Sequence, residues 1–179
     1  VREIESSSAR WFVMAVREIL LLGNPKLYKI CEPVRKEELE SVRKVVQDLH
    51  DTMRDFRARW NAGRAIAAPQ IGAMNRVVYM EIDEPVVFIN PVFDELSDEM
   101  MTLWDDCMSF PELLVKVQRH QRCRIRFRDL NWEEQSWELE DDLSELLQHE
   151  VDHLDGILAV NRAMNDRAIA LRSQRALLE

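Results

Sequence analysis

No apolar run in this chain approaches the roughly 20 residues that a membrane-spanning helix needs, and 32% of its 179 residues are charged. A membrane-spanning reading is therefore set aside. The 46% hydrophobic share suits a globular chain long enough to bury a sizeable core. Positive charge is also in short supply: 24 Lys and Arg face 33 Asp and Glu, a net charge of −9. That balance argues against direct nucleic-acid binding. Cysteine is sparse and odd in number, at positions 31, 107 and 123, without the spacing of a small disulfide scaffold. The three read as reduced thiols of a cytoplasmic protein, one of them a candidate ligand. Low-complexity segments, architectural repeats and linkers are absent too, so nothing divides the chain.

Residues 1–13, VREIESSSARWFV, are read as a leader or an added extension preceding a natural start at Met14, in preference to a functional extension. The tetrapeptide VREI at 1–4 recurs at 16–19 with no architectural period behind it. The stretch does not follow the order of a secretory signal. Residues 14–179 are expected to form one domain.

Periodicity organises that domain. Leu39, Val42, Val46, Leu49, Met53, Phe56 and Trp60 recur at helical spacing and predict one long amphipathic helix. RVVYMEI and PVVFINP read as strands, the first followed by a turn at Asp83-Glu84-Pro85. KVQRH, CRIRFRDL and QSWELE read as further strands. DLSELLQHEVDHL is helical again, with Gly156 as a stop. NDRAIALRSQRALLE predicts a last helix capped by Asn165 or Asp166.

The stretch QHEVDH, Gln148 to His153, carries the chemistry. On a helix, His149 and His153 stand one turn apart on one face, where two neutral imidazoles can hold one metal ion. Glu150 sits about 100° round the helix from His149. It can reach a water beside the ion without being a ligand, and take and relay its proton. A solvated polar helix face would show the same five letters, so the third ligand decides. Catalytic sites want three protein ligands and one open position. Cys107, in WDDCMSFPEL, is the best candidate, because a thiolate suits a soft or borderline metal. A buried structural thiol is the competing reading. Cys31 in a polar loop and Cys123 in an arginine-rich strand are weaker candidates. His50 and His120 are expected at the surface.

With these motifs in view, the chain resembles the peptide deformylase family. GRAIAAPQIG looks like the family's first motif, G-φ-G-φ-A-φ-Q with φ apolar; DDCMS is similar to its second, E-G-C-φ-S; QHEVDH matches its third, Q-H-E-φ-D-H. NPKL and INP also fit, and the likeness runs from about residue 16 to residue 165. The resemblance implies an α+β fold, with antiparallel sheets around a central metal-binding helix. It implies one divalent metal per chain, natively Fe2+ and often Zn2+ or Ni2+, on Cys107, His149 and His153. Glu150 would be general base and then acid, with Gln70 and the backbone N–H of Met108 stabilising the oxyanion. The implied partner is an N-formylated peptide or nascent protein N-terminus, formyl-methionyl in the family, and the products are formate and an amine. A substrate groove along Gly63, Arg64, Ala65, Asp105, Asp106 and Leu146 is expected.

Departures accompany the matches. Ala65 stands where the first motif has its second glycine, and Arg64 where it has an apolar residue. Asp105-Asp106 replaces Glu-Gly, with Asp105 expected to pair with Arg119 and Asp106 placed to obstruct the peptide. Glu145 and Asp142 lie at i−4 and i−7 from His149, where apolar residues are expected to line a methionine pocket. They either make that pocket acidic or form a helix-capping box. Three readings follow: a deformylase of formyl-methionyl peptides, a related hydrolase of another N-formyl or N-acyl substrate, or a metal-stabilised binding protein. Retention of Gln70 and Glu150 argues against the last.

Overall fold

The computed structural model describes residues 15–178, so the expectation for residues 1–13 lies outside the described residues. The predicted long helix is α1, Leu39–Trp60. Val42, Leu49, Met53 and Phe56 form its buried stripe, and Asn61 ends it in the left-handed conformation at φ 51°. The strands follow as β1 (Ala65–Ala67), β2 (Val77–Glu81), β3 (Pro85–Leu96), β4 (Met100–Asp105), β5 (Leu113–His120), β6 (Arg122–Arg128) and β7 (Glu134–Glu140). Helix α2, Asp141–Leu154, comes next, and a short β8, Ile169–Leu171, closes the order. The sheets are antiparallel and run β1-β2-β3-β6-β7 and β4-β5-β8. The architecture is the expected α+β arrangement around α2.

Strand alternation decides which face each sheet turns inward. In β6, Cys123, Ile125 and Phe127 are buried, while Arg124 and Arg126 reach Asp94 on the other face. The buried set packs with Phe88 and with Leu146, Leu147, Val151 and Leu154 of α2. Opposite, Val77, Tyr79, Val87 and Ile89 of β2 and β3 meet α1. Helix α2 is thus enclosed: every residue from Ser144 to Leu154 is buried. Polar groups on such a helix need partners inside the protein.

Several expectations are corrected. The last helix does not form. Asn165 Oδ1 accepts from the Arg167 N–H at 2.9 Å, β8 then pairs Leu113–Val115 of β5, and a 3-10 turn follows at Arg172–Leu177. The edge of β5 not taken by β4 offers backbone partners that outweigh the segment's local helix propensity. Strand β4, unmarked by alternation, lies on the other edge. His50 and His120 are half-buried and partnered: His50 Nδ1 lies 2.6 Å from Tyr79 Oη, and His120 Nδ1 2.7 Å from the Ser97 carbonyl. Cys31 is buried, and burial pushes its thiol up to about 11. The three cysteines are free.

Gly156, the expected helix stop, has φ +71°, and a Cβ there would meet the Tyr28 carbonyl carbon and oxygen at 2.7 Å. Gly156→Ala is expected to destabilise the fold by about 2 kcal/mol or more, from strain and backbone displacement together. Chemical denaturation measures this; a loss below about 0.5 kcal/mol, the range of an ordinary surface change, would contradict it.

Candidate metal and active site

Helix α2 brings the two histidines together as their spacing predicts, with His149 Nε2 and His153 Nε2 3.2 Å apart. The turn after β4 delivers Cys107, whose Sγ is 3.2 Å from His153 Nε2. All three donor atoms lie within 4.8 Å of one another and are buried. A tetrahedral ion with metal–nitrogen and metal–sulfur bonds near 2.0–2.3 Å separates its donors by about 3.4–3.6 Å. The donor set and its spacing fit one such ion closely. Cys31 and Cys123 lie in the apolar core facing the five-stranded sheet, away from this cluster.

Orientation comes from the residues behind the donors. Asp105, the last residue of β4, accepts from His149 Nδ1 at 2.9 Å, which turns Nε2 inward. Arg119 of β5 donates to Asp105 at 3.0 Å, the expected pair, and also to Asp152 of α2. Arg162 holds Asp152 from outside through two 2.5 Å bonds. Burial works against the charge on Asp105, but His149 and Arg119 outweigh it and hold the carboxyl down at about 2. Burial likewise disfavours a charged His149, yet Asp105 and the Cys107 sulfur raise it well above the usual imidazole range. Burial, then His149, holds His153 well below that range.

Glu150 follows His149 and points its Oε2 into the site, buried and without a partner among the described residues. Burial pushes its carboxyl up to about 7. Gln70 lies on the short turn Ala68–Ile71 that β1 leads into. Its Oε1 accepts from the Ala67 N–H at 2.9 Å, so the amide nitrogen faces Ser109 Oγ at 3.3 Å and Cys107 Sγ at 3.6 Å. The polar ends of Gln70 and Glu150 thus border the same small space as the Cys107 sulfur.

That space is a cavity of about 80 Å³, enough for several waters and so for a formamide group. Gly63, Arg64 and Ala65 form one wall, and Glu145 and Leu146 of α2 another. Asp106 and Met108 stand at the cysteine end. A roomier hollow of about 300 Å³ opens beside Trp137, where Asp129 is the only ionisable group among the described residues that line it.

A family model described as Polypeptide deformylase matches residues 16–168. The chain belongs to the peptide deformylase family. A peptide deformylase of Hyphomonas neptunium is 34% identical over 165 residues, spanning 87% of this chain and 91% of that protein. The crystal structure of the Thermotoga maritima peptide deformylase superposes with a TM-score of 0.77 at 32% identity, over 84% of this chain and 99% of that one. A class I type b peptide deformylase from Acinetobacter baumannii, with Met-Ala-Ser bound, gives 0.76 at 29% identity, over 83% and 99%. The protein is an enzyme of this type, a formyl-removing metallohydrolase, and the family acts on N-formylated peptides. Among the described residues, no helix is long and apolar enough to cross a membrane.

The places where this deformylase departs from its motifs are bound to one another. Arg64 reaches across to α2, contacting Asp142 and, at 3.5 Å, Glu145. The capping reading of Asp142 is corrected: Glu140 is the N-cap of α2 and makes no side-chain cap bond. Asp142 also stands outside the cavity lining, its side chain 74% exposed and tied to Arg64. Of the two, Glu145 is the one that lines it. Asp106 does not stand alone in the groove: Arg172, which lines the same cavity, donates to its carboxylate at 2.5 Å. Arg172, Phe56, Trp60 and Ala62 complete the lining and were not expected there. The two aromatics stack on the last turn of α1, a few residues before the first motif, a proximity visible in the sequence. Arg172 left no local signal, because β8 carries it there.

Proposed function

We propose that residues 14–179 form one catalytic domain whose Cys107, His149 and His153 hold one divalent metal ion, natively Fe2+, with Zn2+ or Ni2+ able to replace it. The convergence of three soft and borderline donors carries this reading. An ion held there would supply a Lewis acid for the formyl carbonyl and would lower the pKa of water toward neutrality.

The chain's own groups then do the rest. Glu150 takes the proton from the attacking water as the C–O bond forms. Gln70 Nε2 and the Met108 N–H donate to the oxygen that becomes negative. Glu150 passes its proton to the nitrogen as the C–N bond breaks, and formate and a free amine leave. The peptide lies beside β1, the edge strand of its sheet, whose Ala65 reaches the cavity wall. Formyl-methionyl peptides and nascent chains in the cytoplasm are the proposed substrates, in keeping with the Met-Ala-Ser complex of the Acinetobacter relative. Gly63, Arg64, Ala65, Asp105, Asp106 and Leu146 border the substrate. Asp105 acts there through His149, and Asp142 through Arg64.

The deciding experiment is formate release from a panel of formylated and acetylated peptides, with protein purified without oxygen and loaded with Fe2+. Turnover of formylated peptides alone is expected. Turnover of the acetylated set in preference would favour another N-acyl substrate, and none at all would favour a binding protein.

The ligand set has its own test. Cys107→Ala and His153→Ala are each expected to lose the ion on dialysis while the unmodified chain keeps about one, the share that a three-donor site predicts. Full occupancy in either variant, measured by elemental analysis, would overturn the assignment.

A further inference from the structure

The carboxylates in the cavity differ in what they already hold. Asp105 is engaged by Arg119 and His149. Asp106 is engaged by Arg172. Glu150 faces the reacting group. Glu145 is buried, at 8% exposure, and its one ion-pair contact among the described residues is Arg64 Nη2 at 3.5 Å, the outer limit of a hydrogen bond. The other terminal nitrogen of Arg64 is held by Asp142 on the outside. Glu145 therefore borders the substrate space held only at the outer limit by Arg64, with an oxygen also within 4.8 Å of an Asp105 oxygen and a His149 nitrogen.

Geometry says which part of a substrate meets it. The formyl carbon must lie beside Glu150 and Cys107, and the first Cα is two bonds away. Glu145 stands one helical turn from His149 on the same face, with a carboxylate oxygen within 4.8 Å of a His149 nitrogen. A side chain of four or five atoms spans about 5–6 Å, so its tip reaches Glu145. Phe56 and Leu146, also in the lining, can cover the methylenes of such a side chain.

We propose that Glu145 selects formylated peptides whose first side chain ends in a hydrogen-bond donor, an ammonium, guanidinium or carboxamide, over those ending in a thioether or alkyl group. This rests on the deformylase reading and refines it: formyl-methionyl peptides enter but are not the best substrates. A thioether against Glu145 completes its desolvation and gives nothing back, whereas a donor fills the bond that Arg64 barely makes. Asp142 acts at one remove, by holding Arg64 away from Glu145.

Two readouts on the metal-loaded protein test this. Calorimetry compares Lys-Ala-Ser, Gln-Ala-Ser and Met-Ala-Ser, and kcat/KM compares their formylated forms. The donor-bearing peptides are expected to be favoured by about tenfold or more, the scale set by one well-matched side-chain contact. Glu145→Ile reverses the order. Glu145→Gln keeps the glutamine peptide and loses the advantage of lysine. Asp142→Asn narrows the preference by freeing Arg64 for Glu145. A methionine preference in the unmodified chain overturns the proposal, and so does an order unchanged in both Glu145 variants. If Glu145→Ile does not fold, Glu145→Gln alone decides. A Glu145-dependent binding preference without formate release upholds the proposal and sinks the deformylase reading. Formate release with methionine preferred does the reverse.

Discussion

Glu150→Gln keeps the ion and lowers formate release by at least about a hundredfold, the scale of a general base. The change is nearly isosteric, and the three candidate donors, Cys107, His149 and His153, remain in place. What disappears is the capacity to accept a proton at a buried oxygen that has no partner among the described residues. The environment suits the task. Burial pushes the Glu150 carboxyl up to about 7, so it can take a proton and return it near neutral pH. A glutamine there still fills the space and still hydrogen-bonds, so peptide affinity should change little while kcat collapses. Parallel measurement of kcat, KM and metal content is the check. Near-normal turnover by a metal-loaded Glu150→Gln variant would mean that the proton leaves by another route.

The helix that carries the candidate ligands was legible in the sequence because its signal is local. His149, Glu150 and His153 lie within five residues, and their helical register fixes their relation before any tertiary contact forms. The stripe of α1 and the alternation of β6 were legible for the same reason. Cys107 was weaker, since three cysteines were available and only the flanking motif told them apart. What stayed hidden depends on partners far along the chain. Asp142 looks like a cap until Arg64, 78 residues earlier, claims its carboxylate. The segment after Asn165 looks helical until the free edge of β5 captures it. Arg172 reaches Asp106 across 66 residues only because of that capture. Strand β4 carries no apolar alternation in its sequence, MMTLWD, and its place is decided by pairing with β5.

Arg119→Met is expected to destabilise the protein by about 3–5 kcal/mol, the cost of removing one partner from a buried ionic cluster. Arg119 is 2% exposed and bridges Asp105 to Asp152 across the space between β4 and α2. Methionine replaces its volume but leaves Asp105 with His149 alone, so the loss is electrostatic and not a cavity. The size follows from burial, and a partner change at the open end of the same cluster isolates that cause. Arg162 also bonds Asp152, yet its side chain is 42% exposed. Arg162→Gln should therefore cost only about 0–1 kcal/mol, as solvent-screened pairs do. Denaturation of metal-loaded and metal-stripped samples of both variants separates the fold from the site. Arg119→Met should also weaken metal binding by about 10- to 100-fold, because Asp105 loses the group that steadies it against His149. Equal stability of the two variants would show that the cluster is as solvated at its centre as at its rim. Unchanged metal affinity in Arg119→Met would show that the bond from Asp105 to His149 needs no support from β5.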